Sequence, residues 1–151
     1  MSVLTTWIRV NLLPSGFTAL ALAATIFMTA CSDDEDKFAA SAEKAVGAYS
    51  VEDTAEWGEV EHYTITIERS SEGGPHVEIN NFGDIMYVPI KAIVSGDKFG
   101  IPAQTFSEKT MSITISGSGS FVGDSLSFDY TIEVDDGSIL EHSCVATRQA
   151  N

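Results

Sequence analysis

The chain has 151 residues, with 22 Asp+Glu against 8 Lys+Arg and a formal charge of −14. That acidity argues against nucleic-acid binding, which needs a basic patch to displace counterions from phosphates, and against electrostatic docking on anionic lipid. With 44% hydrophobic and 20% charged residues, the chain can build a core, and its length suits one domain of roughly 100–200 residues.

The charge is unevenly spread. Val10 to Ala30 carries no charged residue, Arg9 is the only one before it, and Phe17 to Met28 is nearly all apolar. A basic start, an apolar run and small residues at its end are the three parts of a secretory signal. A transmembrane helix is the alternative, since about 20 residues cross a bilayer. Asn11, Pro14, Ser15 and Gly16 dilute the first half, however, leaving the shorter apolar core of a signal peptide over residues 1–30. The segment ends in Met28-Thr29-Ala30-Cys31, which resembles a bacterial lipobox, although Leu is commoner at the position of Met28. The resemblance implies that Cys31 becomes a lipidated N-terminus with a diacylglycerol thioether and usually an N-acyl chain. More than one chain is what stable anchoring requires. Only Arg9 is lost from the charges on removal of residues 1–30, so the mature product is more acidic than the precursor.

Ser32-Asp33-Asp34-Glu35-Asp36 follows the cysteine. Four adjacent carboxylates repel one another and stay extended, which makes a solvated tether. The same tract resembles the export signal of Bacteroidetes-type surface lipoproteins, and this implies an outer-membrane protein facing the cell exterior. Residues 37–46 are Ala-rich, with material for one or two helical turns. That is too short to be stable alone, so residues 31–46 are expected to be a flexible tether.

From Gly47 onward the apolar pattern has period two. Leu126, Phe128, Tyr130, Ile132 and Val134 alternate with Ser, Asp, Thr and Glu, as do Tyr63, Ile65 and Ile67, and Met111, Ile113 and Ile115. Each run is a strand with one apolar and one solvated face. Turn signals recur at Gly73-Gly74-Pro75, Gly83-Asp84, Gly96-Asp97, Gly123-Asp124 and Asp136-Gly137. Strands are expected over 47–55, 60–70, 76–82, 86–95, 98–106, 110–122, 125–135 and 139–149. A two-residue turn at Gly123-Asp124 sets Phe121 opposite Leu126, Gly119 opposite Phe128, Gly117 opposite Tyr130, Ile115 opposite Ile132 and Ile113 opposite Val134. Glycines beneath aromatic rings bend a sheet towards closure, so Ser116 to Ser120 reads as a bent strand and not a linker. A turn at Gly96-Asp97 pairs Val94 with Phe99, Ala92 with Ile101 and Ile90 with Ala103, while Pro89 and Pro102 indicate a bulge or a weakly paired edge. A three-residue turn including Ser138, with Gly137 left-handed, points Leu140, His142, Cys144 and Ala146 inward. The expected fold is all-β: residues 47–151 as a small antiparallel up-and-down meander barrel of about eight strands, with a two-sheet sandwich as the alternative.

Gly47 to Val51, Val77 to Gly83, Ile101 to Thr105 and Ile115 to Gly119 resemble stretches of a group of small lipocalin-like bacterial lipoproteins. The resemblance covers roughly the mature domain and implies a barrel without catalytic residues. Many members of the group carry a cysteine near the first strand as well as one near the last. Here only Cys144 remains once Cys31 is lipidated, so a domain disulfide is excluded in the monomer.

Little of the sequence carries chemistry. Gly123-Asp124-Ser125-Leu126 matches the short motif of Gly-Asp-Ser-Leu esterases, but it lies in a β-hairpin near the chain end, without the companion segments that supply the oxyanion hole and the base. His62, His76 and His142 have no zinc-like spacing. His142 and Cys144 share a strand face, as a hydrogen-bonded core histidine beside an apolar thiol would. Glu52, Asp53, Glu56, Glu59 and Glu61 read as a solvated acidic stretch. No metal or cofactor is expected, and no enzyme. Tyr49, Tyr63, Phe99, Phe121, Phe128 and Tyr130 are the candidate lining of a pocket for a small apolar ligand, in a barrel whose size borders between a packed core and a one-ligand cup. The alternative is a packed barrel that binds protein or glycan through its loops, with an exposed patch around Trp57, Phe82 or Phe106.

Overall fold

The computed structural model describes residues 36–84, 86–108 and 111–150. The signal segment, Cys31 and the tract Ser32 to Glu35 lie outside the described residues. Eight strands follow in chain order: β1 Gly47–Ala55, β2 Val60–Arg69, β3 His76–Asn80, β4 Ile90–Ser95, β5 Lys98–Glu108, β6 Met111–Val122, β7 Ser125–Val134 and β8 Ile139–Arg148. Each pairs antiparallel with the next, and β1 pairs with β8 from Tyr49↔Arg148 to Ala55↔His142, so the sheet closes into a barrel. Closure leaves no unpaired edge and sets the two-sheet alternative aside.

The β6–β7 hairpin has the register its alternation dictates, with Phe121↔Leu126, Gly119↔Phe128, Gly117↔Tyr130, Ile115↔Ile132 and Ile113↔Val134. A Cβ on Gly119 would stand 2.2 Å from the Ser127 carbonyl oxygen, and one on Gly117 2.6 Å from that of Asp129. The two strands approach so closely there that only hydrogen fits, which is how the sheet turns its corner. At the other end of β7 the loop is Asp135-Asp136-Gly137, one residue earlier than expected. Val134 donates to the Ser138 carbonyl at 2.9 Å, and Gly137 has φ 85°. Pairing moves by two residues, to Ile132↔Leu140 and Tyr130↔His142. A shift of two keeps every side chain on its expected face.

β4 and β5 depart further. Val94↔Phe99 forms, but the ladder stops at Ile93↔Gly100, so the expected pairs Ala92–Ile101 and Ile90–Ala103 are not made, and Ala103 is exposed. Pro102 has no N–H to give, and a bulge between Ile101 and Gln104 shifts β5 against β6. The Gln104 side chain takes the place of the missing strand neighbour. Its Oε1 accepts from Lys91 N at 2.9 Å and its Nε2 donates to Lys91 O at 2.7 Å. β3 ends two residues early and β4 begins four late, because Phe82–Asp84 forms a 3-10 turn.

Residues 36–45 are an α-helix, α1, where a flexible tether was expected through residue 46. Alone it would not hold; tertiary contacts hold it. Ala42 and Ala45 are fully buried in the core. Ala45 O accepts from Tyr49 Oη at 2.9 Å, Ala39 O from Arg69 Nη1 at 2.6 Å, and Ser41 Oγ from Gly96 N at 3.0 Å. Arg148 donates to the carbonyls of Lys44 and Val46 at the helix end and lies 4.9 Å over the Tyr49 ring. The folded unit therefore begins at Asp36, and α1 caps the barrel end that carries the β4–β5 and β6–β7 turns.

Candidate functional site

The six aromatic residues expected to line a pocket are brought to the barrel core, but five of them pack ring on ring, and Tyr63 is held through its hydroxyl on Asp53. Ring centroids lie 6.5 Å apart for Tyr49–Phe121, 6.0 Å for Phe99–Phe121, 5.7 Å for Phe99–Phe128 and 6.1 Å for Phe128–Tyr130. Phe82, expected in an exposed patch, is 1% exposed and sits 4.7 Å from Tyr130 and 6.0 Å from Phe128. These are ordinary edge-to-face and tilted packing distances. Phe106 is half-buried against the same core, so of the expected patch only Trp57 is exposed.

The turn that delivers Phe82 is conformationally costly. Asn81, Gly83 and Asp84 have φ of 60°, 63° and 54°, and left-handed backbone costs a non-glycine residue roughly 1–2 kcal/mol. The Asn81 amide fastens the turn by donating to Thr64 O at 2.9 Å and to Asp84 Oδ1 at 3.3 Å.

At the barrel end opposite α1, Asp53 is 3% exposed. Its Oδ2 accepts from Tyr130 Oη at 2.7 Å and Tyr63 Oη at 2.9 Å, and its Oδ1 lies 2.9 Å from His142 Nδ1. A carboxylate only accepts, so Nδ1 is the donor in this contact. Cys144 is buried beside them and unpaired. Burial, reinforced by the Asp53 charge, holds its thiol well above the usual range, which makes it a poor nucleophile. Burial likewise raises Tyr63 and Tyr130, and the hydrogen bond each gives to Asp53 strengthens the effect by favouring the protonated phenol.

Asp53 corrects the reading of 52–61 as a uniformly solvated stretch. Tyr49, Val51, Asp53 and Ala55 alternate inward along β1, so the period-two signal that found the core also marked Asp53. His142 was expected as a hydrogen-bonded core residue; it stacks on Tyr130 at 4.6 Å and 13°, and Trp57 meets its ring edge-on at 5.9 Å. Asp53, Ala55, Trp57, Glu59, Glu61 and His142 line a cleft of about 60 Å³, room for a water or two. His62 is exposed, and His76 pairs with Glu72 at 3.8 Å.

A larger groove of about 820 Å³ lies on the flank of the same half of the barrel, lined by Thr54, Glu56, Ser116, Asp129, Thr131 and His142 among others. Most of these belong to the solvated strand faces, and Gly117 leaves the sheet concave there. Ser125 sits at the other end. Its partner Thr147 is five residues along β8 from His142, about 17 Å at roughly 3.3 Å per residue. The Gly-Asp-Ser-Leu tetrapeptide thus forms a turn whose serine cannot meet this histidine. Among the described residues no group of three or more His, Cys, Asp and Glu is placed to hold a metal ion.

No family model and no curated protein matches the chain. It is similar to a solved structure of a redesigned beta barrel at 18% identity, covering 73% of this chain and 96% of that one, with a TM-score of 0.47.

Proposed function

We propose that the protein is a lipid-anchored, non-catalytic binding module of the bacterial outer membrane, facing the cell exterior and recognising its partner on outer surfaces and loops. The observation that carries this reading is the filled interior. The barrel's aromatic residues are committed to packing, and its buried polar side chains among the described residues all have partners. Recognition then falls to the outside. The anchor rests on Met28 to Cys31 and the acidic tract Ser32 to Asp36. Radiolabelled palmitate should be incorporated into the wild-type protein and not into Cys31→Ser; equal labelling of both would overturn the anchor.

A small apolar ligand inside the barrel is the second reading, favoured by one feature. Phe82 packs on Phe128 and Tyr130 from the β3–β4 loop and not from a strand, so its removal would open space in the core without breaking the sheet ladder. Phe82→Ala is then expected to gain binding of a neutral apolar fluorophore such as N-phenyl-1-naphthylamine, at a stability cost of about 3–5 kcal/mol. A variant that stays folded without binding the dye would dispose of the interior site.

A further inference from the structure

The two ends of the barrel differ in what they expose. α1 caps one end, and with it lie the β2–β3, β4–β5 and β6–β7 connections, where among the described residues Val122 at 77% and Phe38 of α1 at 39% are the exposed large apolar side chains. The other end carries the β1–β2, β3–β4, β5–β6 and β7–β8 connections. Each of these presents an exposed apolar side chain at its tip or flank: Trp57 at 59%, Tyr87 at 100% with Val88 at 55%, Met111 at 51% and Ile139 at 55%. Apolar side chains scattered over a surface need no explanation, but one on every loop at a single end is a concentration of the kind that interaction sites show.

The rim is also pre-ordered. Glu56 N donates to Glu141 O at 2.9 Å, which ties the β1–β2 loop to β8, and Asp135 N donates to Ser112 O at 3.0 Å, which ties the β7–β8 loop to β6. Trp57 rests on His142 and donates from Nε1 to Glu59 at 2.9 Å. A surface already fixed loses little entropy on binding.

Charge selects the occupant. Between the apolar tips stand Glu56, Glu59, Asp84, Asp135 and Asp136, all exposed, and the described residues of these loops include no Lys or Arg; Lys109 lies outside the described residues. A second copy would bring carboxylates against carboxylates, and anionic lipid is repelled for the same reason. We propose that this rim is a docking face for a basic polypeptide, one presenting Lys or Arg side chains around an apolar centre. The inference deepens the proposed function and rests on it for the use of loops in recognition.

The test uses the full-length lipidated protein in neutral detergent, and the anisotropy of two fluorescein-labelled peptides, one of alternating Lys and Leu and one of alternating Glu and Leu. The Lys-Leu peptide should bind at least about tenfold more tightly than its acidic counterpart. Tyr87→Ser/Met111→Ser/Ile139→Ser should weaken it by about tenfold or more, as loss of a central apolar contact does. Val122→Ser, a change of the same chemistry at the other end, should alter it less than about twofold, and circular dichroism should give both variants the wild-type spectrum. Equal binding of the two peptides, or equal loss in Val122→Ser, would overturn the proposal. Two other outcomes would overturn the basic partner by assigning the rim elsewhere: self-association of the protein abolished in the triple variant, or binding to phosphatidylcholine vesicles abolished in it. Failure of Cys31 labelling would remove the anchor and leave this result standing, so the two readings fail separately.

Discussion

Asp53 gathers two phenols and an imidazole from three different strands onto one carboxylate. A hydrogen bond to a charged group contributes about 1.5–3 kcal/mol, and a buried donor left without its acceptor costs about 1–3 kcal/mol. Asp53→Ala strips all three donors at once and is expected to lower unfolding stability by about 3–5 kcal/mol. Tyr130→Phe removes one donor and leaves the carboxylate two others, so about 1–2 kcal/mol is expected. Urea denaturation with an unchanged m-value is the measurement. Equal effects of the two variants would mean that the residues do not act as a cluster. That Asp53 points inward was legible in the alternation of β1; that it meets Tyr63, Tyr130 and His142 was not. Those residues stand 10, 77 and 89 positions away in the chain, and only the pairing of β1 with β2 and β8, and of β8 with β7, brings them together.

At the scale of elements, the β6–β7 hairpin depends on two glycines for a reason that turn conformation does not supply. Gly119→Ala drives a methyl group into the Ser127 carbonyl and the Phe128 Cβ, which would stand 2.2 and 2.4 Å away. The obstruction is backbone, so the strands must part, and overpacking of this kind costs roughly 1–3 kcal/mol or more. Gly100→Ala in β5 meets nothing within 4 Å and is expected to change stability by less than about 0.5 kcal/mol. Thermal unfolding of the two variants side by side decides it, and comparable loss in both would refute the close-approach account. This hairpin was readable because a Gly-Asp turn fixes one register and the apolar face confirms it. β4 and β5 were only half readable. Pro102 announces a break in the ladder, but nothing local indicates that the Gln104 amide will fill it. α1 shows the same limit from the other side, since its ten residues become a helix through the partners that Arg69, Gly96 and Arg148 provide.

For the molecule as a whole, the buried acids govern behaviour at high pH. The Tyr63, Tyr130 and Cys144 protons are held above the ordinary values of 10.0 for the phenols and 9.0 for the thiol, chiefly by burial. Above those values the unfolded chain has released these protons while the folded chain keeps them. The unfolded state then binds fewer protons, so stability falls as pH rises, and it is fully present below about pH 9. Each group contributes a slope of up to about 1.4 kcal/mol per pH unit. Urea midpoints are expected to be flat up to about pH 9 and to drop steeply above pH 10, with tyrosinate absorbance from the three buried phenols, Tyr49 included, appearing together with unfolding. In Tyr63→Phe the slope should be shallower by up to one group's share. A midpoint independent of pH between 9 and 11 would contradict the buried cluster.

Alternation, turn residues and charge were enough to establish eight strands, their faces and an all-β meander, because a period of two and a glycine turn are local properties of the chain. The acidity of the chain and the apolar, almost uncharged first thirty residues are likewise properties of composition, read without reference to any neighbour. Whether the aromatic faces would enclose a space or fill it was decided by tertiary structure alone. A packed core and a one-ligand cup have the same strand pattern, and Phe82, delivered from a loop between β3 and β4, adds to the core a ring that the strand pattern does not show. The gathering of Asp53 with His142 and the ring of exposed apolar tips opposite α1 have the same origin. Both are made by barrel closure, which sets side by side residues that the chain keeps far apart.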